Sequence, residues 1–326
     1  MIFKLLLLFC LIGLTFSHAM AGMTWPNSTI LYRFRADFPD RRRKLVLHAI
    51  SHVSSISCIK FQESSSNLSV EVKNEFKNEC ATKCGWHPRS TGRFMNLGDH
   101  CDSFILHELL HTTGLAHEHS RYDRDKYLFV SDYGIDNQTC KLNRTNSINF
   151  APFDFGSVML YRPIPAEFFR PRKDYYDYFY TMGSRYLSFY NTVTLNKYYG
   201  CNYGFEGKLC ETLVSKPIQS TMNWTEIAVP FGTTVVLKPV KGKTLEINIS
   251  PESVDKLVQK ELGCSYSNVE IKYLEDRRAV NPLYCGNPEL HHLLQRSTKN
   301  DPTIILLRNH MPTKILGNVS IRFRSQ

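Results

Sequence analysis

Apolar and polar positions divide this chain into segments of different period. Residues 5–16 form a twelve-residue apolar run after Lys4, and Ala19-Met20-Ala21 behind it has the small-x-small form of a cleavage site. The run is too short to span a bilayer comfortably, so the pattern predicts a signal peptide over residues 1–21. No later run is long and apolar enough for a membrane span. Trp25–Phe34 turns at Pro26-Asn27 and then alternates, which predicts a strand. Leu45, Ala49, Ile50 and Val53 recur at helical spacing, with Asp40 ahead of them as a candidate N-cap. Short strands are expected at Cys58–Phe61 and Ser69–Val72. Helices are expected over Ser103–His111 and Leu187–Tyr199, the second ending near Gly200-Cys201. Residues 161–190 are rich in tyrosine and arginine and poor in aliphatics. That composition fits a substrate-facing wall and a packed aromatic surface equally well.

The last third of the chain has a different rhythm. Glu226–Val229, Thr233–Leu237, Thr244–Ile249, Asn268–Tyr273, Thr303–Leu307 and Val319–Phe323 are β-patterned and separated by polar turns. Short strands at such spacing predict an all-β sandwich. A chain of 326 residues can hold one large or two ordinary domains with real cores.

A net charge of +10 and a pI near 9.0 favour contact with acidic surfaces, such as sulphated matrix glycans, or with acidic substrates. The basic residues are scattered except for Arg41–Lys44, which reads as a solvated helix face. No nucleic-acid-binding motif accompanies them, so a nucleic-acid partner is not expected. Ten cysteines and sequons at Asn27, Asn67, Asn137, Asn143, Asn223, Asn248 and Asn318 agree with the apolar N-terminus on a secreted, extracellular protein.

The chemistry concentrates in residues 107–125. His107 and His111 are four apart, so on a helix both imidazoles leave one face, and Glu108 beside them is a candidate general base. Gly114 can take a positive φ without a Cβ clash, end the helix and turn the chain back. The turn brings His117 within reach as a third nitrogen. Three neutral histidines with an open position for water are the ligand set of a catalytic zinc, whereas structural zinc is usually closed by four protein ligands. His48, His52, His87, His100 and His119 lack such spacing and read as surface or supporting residues.

The run HELLHTTGLAHEHSRYDRD, from His107 to Asp125, resembles the signature of the astacin family, a branch of the metzincins, with every fixed position filled. Phe155-Gly-Ser-Val-Met159-Leu-Tyr161 is similar to the methionine turn that metzincins carry downstream. The order WPNSTI, helix, CIKF resembles the start of nematode-type astacins. The resemblance implies an α+β zincin/metzincin catalytic domain, with a mixed sheet, helices, and zinc in the cleft between two subdomains. It implies a secreted endopeptidase with one Zn²⁺ held by His107, His111 and His117, acting on protein or peptide substrates of the extracellular matrix or cuticle. In that mechanism Glu108 takes the proton of the zinc-activated water. Tyr161 is a further ligand that swings away and donates to the oxyanion, and Met159 is apolar support beneath the metal. Glu118 and Arg121 are structural. Two positions depart from the pattern: Leu160 stands where histidine is usual, and Leu115 where phenylalanine is usual. The first bears on how Tyr161 is supported.

The resemblance sets the domain boundaries at 22–201 for the catalytic domain, 202–212 for a truncated EGF-like hairpin, and 213–326 for a CUB-like sandwich. The CUB resemblance rests on Asn268–Tyr273, Cys285-Gly286 and the strand count. It also implies bridges Cys58–Cys201 and Cys264–Cys285, and one closing on Cys101 from either Cys80 or Cys84. A Cys201–Cys210 hairpin bridge would compete with the first. Cys140 is expected to pair with whichever of Cys80 and Cys84 is spare. Only Gly22, Met23 and Thr24 separate the expected cleavage from Trp25, so no inhibitory pro-segment is expected. The competing reading is a catalytically decayed homologue acting as a CUB-bearing binding protein.

Overall fold

The computed structural model describes residues 18–87, 92–131, 147–163, 166–167, 169–201, 217–231, 233–255, 264, 267–276, 279–300, 302–309 and 318–326. The expected signal run, Cys140 and the expected EGF-like hairpin lie outside the described residues or mostly so.

Two bodies of structure follow one another. The first opens with β1 (His18–Met20), β2 (Thr29–Phe34), α1 (Asp40–Ser55), β3 (Lys60–Glu63), β4 (Val70–Lys73), β5 (Cys80–Thr82) and β6 (Phe94–Leu97). Strands β2 to β6 make one sheet in the order β3-β2-β4-β6-β5. Its pairings are parallel except β5 with β6, which is antiparallel and leaves β5 at the edge. Helix α1 buries Arg42, Val46, Ala49 and Val53, a stripe at 4-3-4 spacing, against this layer. Leu45, expected on that face, is instead 37% exposed, because the stripe is closed by the guanidinium of Arg42. Arg42 donates to the carbonyls of Leu97 and Gly98 and to Asp102. Pro39, not Asp40, occupies the N-cap, and Asp40 sits in the first turn, where a carboxylate favours the helix dipole.

Helix α2 (Ile105–Thr112) follows a 3-10 turn at Cys101–Phe104 and packs Ile105, Leu109 and Leu110 into the same core as Val46 and Val53. The indole of Trp25 donates to the carbonyl of Thr112 at 2.8 Å, fixing the end of α2 against the start of the sheet. Beyond it run β7 (Leu128–Val130), β8 (Ser147–Asn149) and β9 (Phe169–Pro171), with β7 paired to β9. Leu128, Phe153, Phe155, Leu160, Phe169 and Met182 form a second, aromatic core below. Helix α3 (Phe189–Tyr199) closes this part. Ser188 and Asn191 build a capping box at its start, and Gly200, at φ 63°, ends it in the left-handed conformation.

Strand β1 departs from the sequence expectation. It pairs with β8, Ala19 is fully buried, and the amide of Met20 donates to the carbonyl of Gly114 at 3.0 Å. The phenol of Tyr198 bridges the Met20 carbonyl and the Met23 amide. His18–Met20 lie upstream of the boundary expected at residue 22, yet they are built into the first body.

Cys58 bonds Cys201, Cys80 bonds Cys101 and Cys264 bonds Cys285. Cys84 is a free thiol, packed 3.3 Å from Nδ1 of His111, and not the disulfide partner expected for Cys140.

The second body has β10 (Ile218–Gln219), β11 (Thr225–Pro230), β12 (Thr234–Lys238), β13 (Leu245–Ile249), β14 (Ser267–Ile271), β15 (Gln295–Thr298), β16 (Thr303–Asn309) and β17 (Asn318–Ser325). They form two four-stranded sheets, β10-β12-β16-β14 and β11-β17-β13-β15. Val235, Val269 and Ile305 from one meet Ile247, Ile321 and Phe323 from the other in a shared core. All six predicted strands are present, and β10 and β15 are additional. The two bodies are tied together. Tyr190 donates to Asp276 at 2.5 Å, the amide of Leu283 donates to Thr181 at 2.9 Å, and Asp177 pairs with His292 and Arg296. A β-carbon on Gly156 would lie 2.6 Å from Cβ of Val280, so only glycine permits that approach.

Candidate metal centre

Helix α2 turns His107 and His111 to one side while its apolar face is buried. Gly114, at φ 94°, breaks the helix, and a β-carbon there would lie 3.0 Å from the ring of Tyr198. The chain then reverses and delivers His117. The three Nε2 atoms stand 3.0–3.2 Å from one another. A tetrahedral zinc with nitrogens at about 2.0–2.1 Å sets them about 3.3 Å apart, so the cluster fits that ion with a small outward adjustment.

The backs of the rings are held. Nδ1 of His107 donates to the Val158 carbonyl at 2.7 Å, and Nδ1 of His111 to the Leu115 carbonyl at 2.8 Å. Each bond puts the proton on Nδ1 and leaves the Nε2 lone pair facing the cluster centre. Burial, helped by neighbouring His111, pushes His107 down to about 3, and burial also lowers His111. Both imidazoles are therefore neutral, as metal ligands must be.

Glu108 is buried on the same helix, and its Oε2 has no hydrogen-bond partner. Burial raises its carboxyl against the opposing pull of His111 and Thr82. Met159 is buried, and its carbonyl accepts from the amide of Glu118, the residue after His117, at 2.8 Å. Leu160, in place of the usual histidine, packs into the aromatic core, so the turn is anchored by apolar contact. Tyr161 still reaches the site, with its ring 4.6 Å from that of His117, and burial pushes its phenol up to about 12.

Below the cluster lies a buried ionic knot. Arg121, fully buried, donates to Glu118 at 3.0 Å, to both oxygens of Asp123, and to the Ala151 carbonyl. Glu118 also accepts from the amide of Asp154. Burial, against the pull of Arg121, raises Glu118 to about 8. The knot fixes the segment that presents His117 to the loop that presents Met159.

All five residues singled out in the sequence, His107, Glu108, His111, His117 and Tyr161, converge here. His119, expected as a surface or supporting residue, takes the supporting place: it is fully buried, with its ring 4.7 Å from His117 and 4.2 Å from Tyr161. Its position two residues after His117 is the signal that sequence reasoning could have used. Arg162 and Arg185 were not singled out either. They line a cavity of about 340 Å³ beside His107, Glu108 and Tyr161.

Residues 17–200 match the profile of the Astacin peptidase family. The chain is 30% identical to Zinc metalloproteinase nas-17 of Caenorhabditis elegans over 327 residues, covering 87% of this chain and 75% of that one. It is also 30% identical to Zinc metalloproteinase nas-20 of the same organism, over 86% of this chain and 82% of the relative. Among solved structures, High choriolytic enzyme 1, a hatching enzyme zinc-protease from Oryzias latipes, aligns at 21% identity with a TM-score of 0.46, over 55% of this chain and 93% of that one. The chain belongs to the astacin family and is a zinc-dependent metalloendopeptidase acting on protein or peptide substrates.

Proposed function

We propose that this chain cleaves extracellular proteins, with His107, His111 and His117 holding the zinc, Glu108 as general base and acid, and Tyr161 as the oxyanion donor. The single observation that carries the reading is the unpartnered Oε2 of buried Glu108 next to three converging Nε2 atoms. The zinc, when bound, polarises the scissile carbonyl and acidifies the attacking water. Glu108 accepts that water's proton on its free oxygen and returns it to the departing amine. The raised carboxyl of Glu108 suits both halves of this transfer. Tyr161, protonated up to about pH 12, keeps a proton to donate as charge develops on the carbonyl oxygen. Strand β5, at the edge of the sheet, begins at Cys80 on the cavity wall and offers backbone groups to an extended substrate. Arg162 and Arg185 favour an acidic side chain in the cavity.

The mature catalytic domain in this reading begins at or before His18, because cleavage after Ala21 would strip β1 from β8. The two-sheet body is a CUB-like module. Secretion fits the three disulfides and the exposed sequon residues Asn27, Asn67, Asn223 and Asn318, which would carry glycans. Matrix or cuticle proteins are the proposed substrates, with acidic glycans as a secondary partner for the basic surface. The test is incubation of the purified chain with casein or gelatin and mass spectrometry of the products. Internal cuts that stop with chelator and return with zinc support the reading. Binding without any cut favours the decayed homologue.

A further inference from the structure

The cavity beside His107 is lined by the catalytic body alone, and one of its lining residues faces a second space. Ser184 lines it, and Ser184 also lines a second cavity, of about 270 Å³, between the two bodies. One wall of this second space is Gly156, Tyr186 and Phe189 of the catalytic body. The opposite wall is Val280, Lys272 and Arg308 of the two-sheet body. Close packing of Val280 on Gly156 and the Tyr190–Asp276 and Thr181–Leu283 hydrogen bonds fix the distance between the walls.

The charge of the far wall is set by a compact cluster. Glu270 is fully buried on β14 and accepts from Lys272 at 2.6 Å, from Arg308 at 2.6 Å and from the amide of Asn281 at 2.8 Å. Two cations therefore share the Glu270 carboxylate, and buried Asp154 lies near enough to act on Lys272 as well, so Arg308 is the cation best placed to face the cavity. The side chain of Arg308 remains 34% exposed, with Nη1 on Asn268 and Nη2 on Glu270. Its guanidinium carries five N–H donors, so donors remain for a ligand at the cavity face.

We infer that the groove between the two bodies is an extended substrate subsite, in which Arg308, backed by Lys272, selects an acidic side chain beyond the residue seated in the first cavity. This rests on the peptidase reading above and adds its substrate class: polypeptides with a carboxylate on the side of the cut that faces Ser184. The two-sheet body is thereby part of the specificity machinery.

The test uses the full chain and two sets of peptides sharing one cleavable core. Short peptides stop at the first cavity. Long ones extend beyond it, with a glutamate moved one position at a time against an alanine background. At one or two positions glutamate should raise kcat/KM about fivefold over alanine, the scale of a part-exposed ion pair. The gain should shrink at high salt and survive in Arg308→Lys. It should vanish in Arg308→Gln while cleavage of the short peptides is unchanged. No glutamate gain at any position, or an undiminished gain in Arg308→Gln, would overturn the inference. If Arg308→Gln does not fold, the wild-type scan and its salt dependence still decide. Failure to cut even the short peptides would instead count against the peptidase reading.

Discussion

The backbone amide of Tyr161 donates to Nδ1 of His119 at 3.4 Å, and the two rings lie 4.2 Å apart. The tyrosine is therefore positioned by a residue two places beyond His117, in a turn that lacks the family's usual histidine at 160. Tyr161→Phe should lower kcat by about 10²–10³ with little change in KM, because the lost hydrogen bond belongs to the transition state. His119→Ala should reproduce part of that loss by releasing the ring. Steady-state kinetics on one peptide checks both, and an unchanged kcat in Tyr161→Phe would remove the residue from the mechanism.

Gly114 is held at φ 94° with the ring of Tyr198 3.0 Å from where a β-carbon would sit. Gly114→Ala should therefore destabilise the chain by about 1–3 kcal/mol and weaken zinc binding by displacing His117. Thermal unfolding and a competitive zinc titration measure the two effects. Normal zinc affinity in the variant would mean that His117 does not depend on this turn.

Asp154 gives the account a pH signature. Burial holds its carboxyl up at about 6, against an ordinary 3.8, while Ser188 and the Gly156 amide pull the other way. Between those values the folded chain holds a proton that the unfolded chain has lost. The stability from this group is full below the ordinary value and declines as the pH rises through the folded one. Asp154→Asn does not ionise, so its unfolding free energy relative to wild type should climb between about pH 4 and 7, by at most about 3 kcal/mol. A difference that stays flat across that range would show that Asp154 ionises without penalty.

Much of the site was legible because its spacing is local. His107, Glu108, His111, Gly114 and His117 fall within one helix and one turn, where periodicity and a glycine dictate geometry. The six strands of the second body were legible for a similar reason, as short apolar alternations between turns. What was hidden depends on partners far along the chain. Leu45 and Val46 are both apolar, and only the Arg42 bonds to Leu97 and Gly98 decide which faces inward. The choice between Cys80 and Cys84 as partner of Cys101 depends on strand β5 lying beside β6. The burial of Ala19 depends on β8, more than a hundred residues away, whereas the local small-x-small pattern there reads as a cleavage site.

That last difference can be measured. N-terminal sequencing of the mature chain, purified from its native source, should find a start at or before His18. A start at Gly22 would mean that β1 is dispensable to the mature fold.

The most direct test of the central claim compares Glu108→Gln with wild type in the same preparation. Zinc content is read by atomic absorption and turnover on a cleavable peptide. The account predicts one zinc per chain in both, because Glu108 is not a ligand, and a fall in kcat of about 10²–10⁴ in the variant. A variant that keeps its zinc and cleaves at the wild-type rate would contradict the assignment of Glu108 as the group that moves the proton.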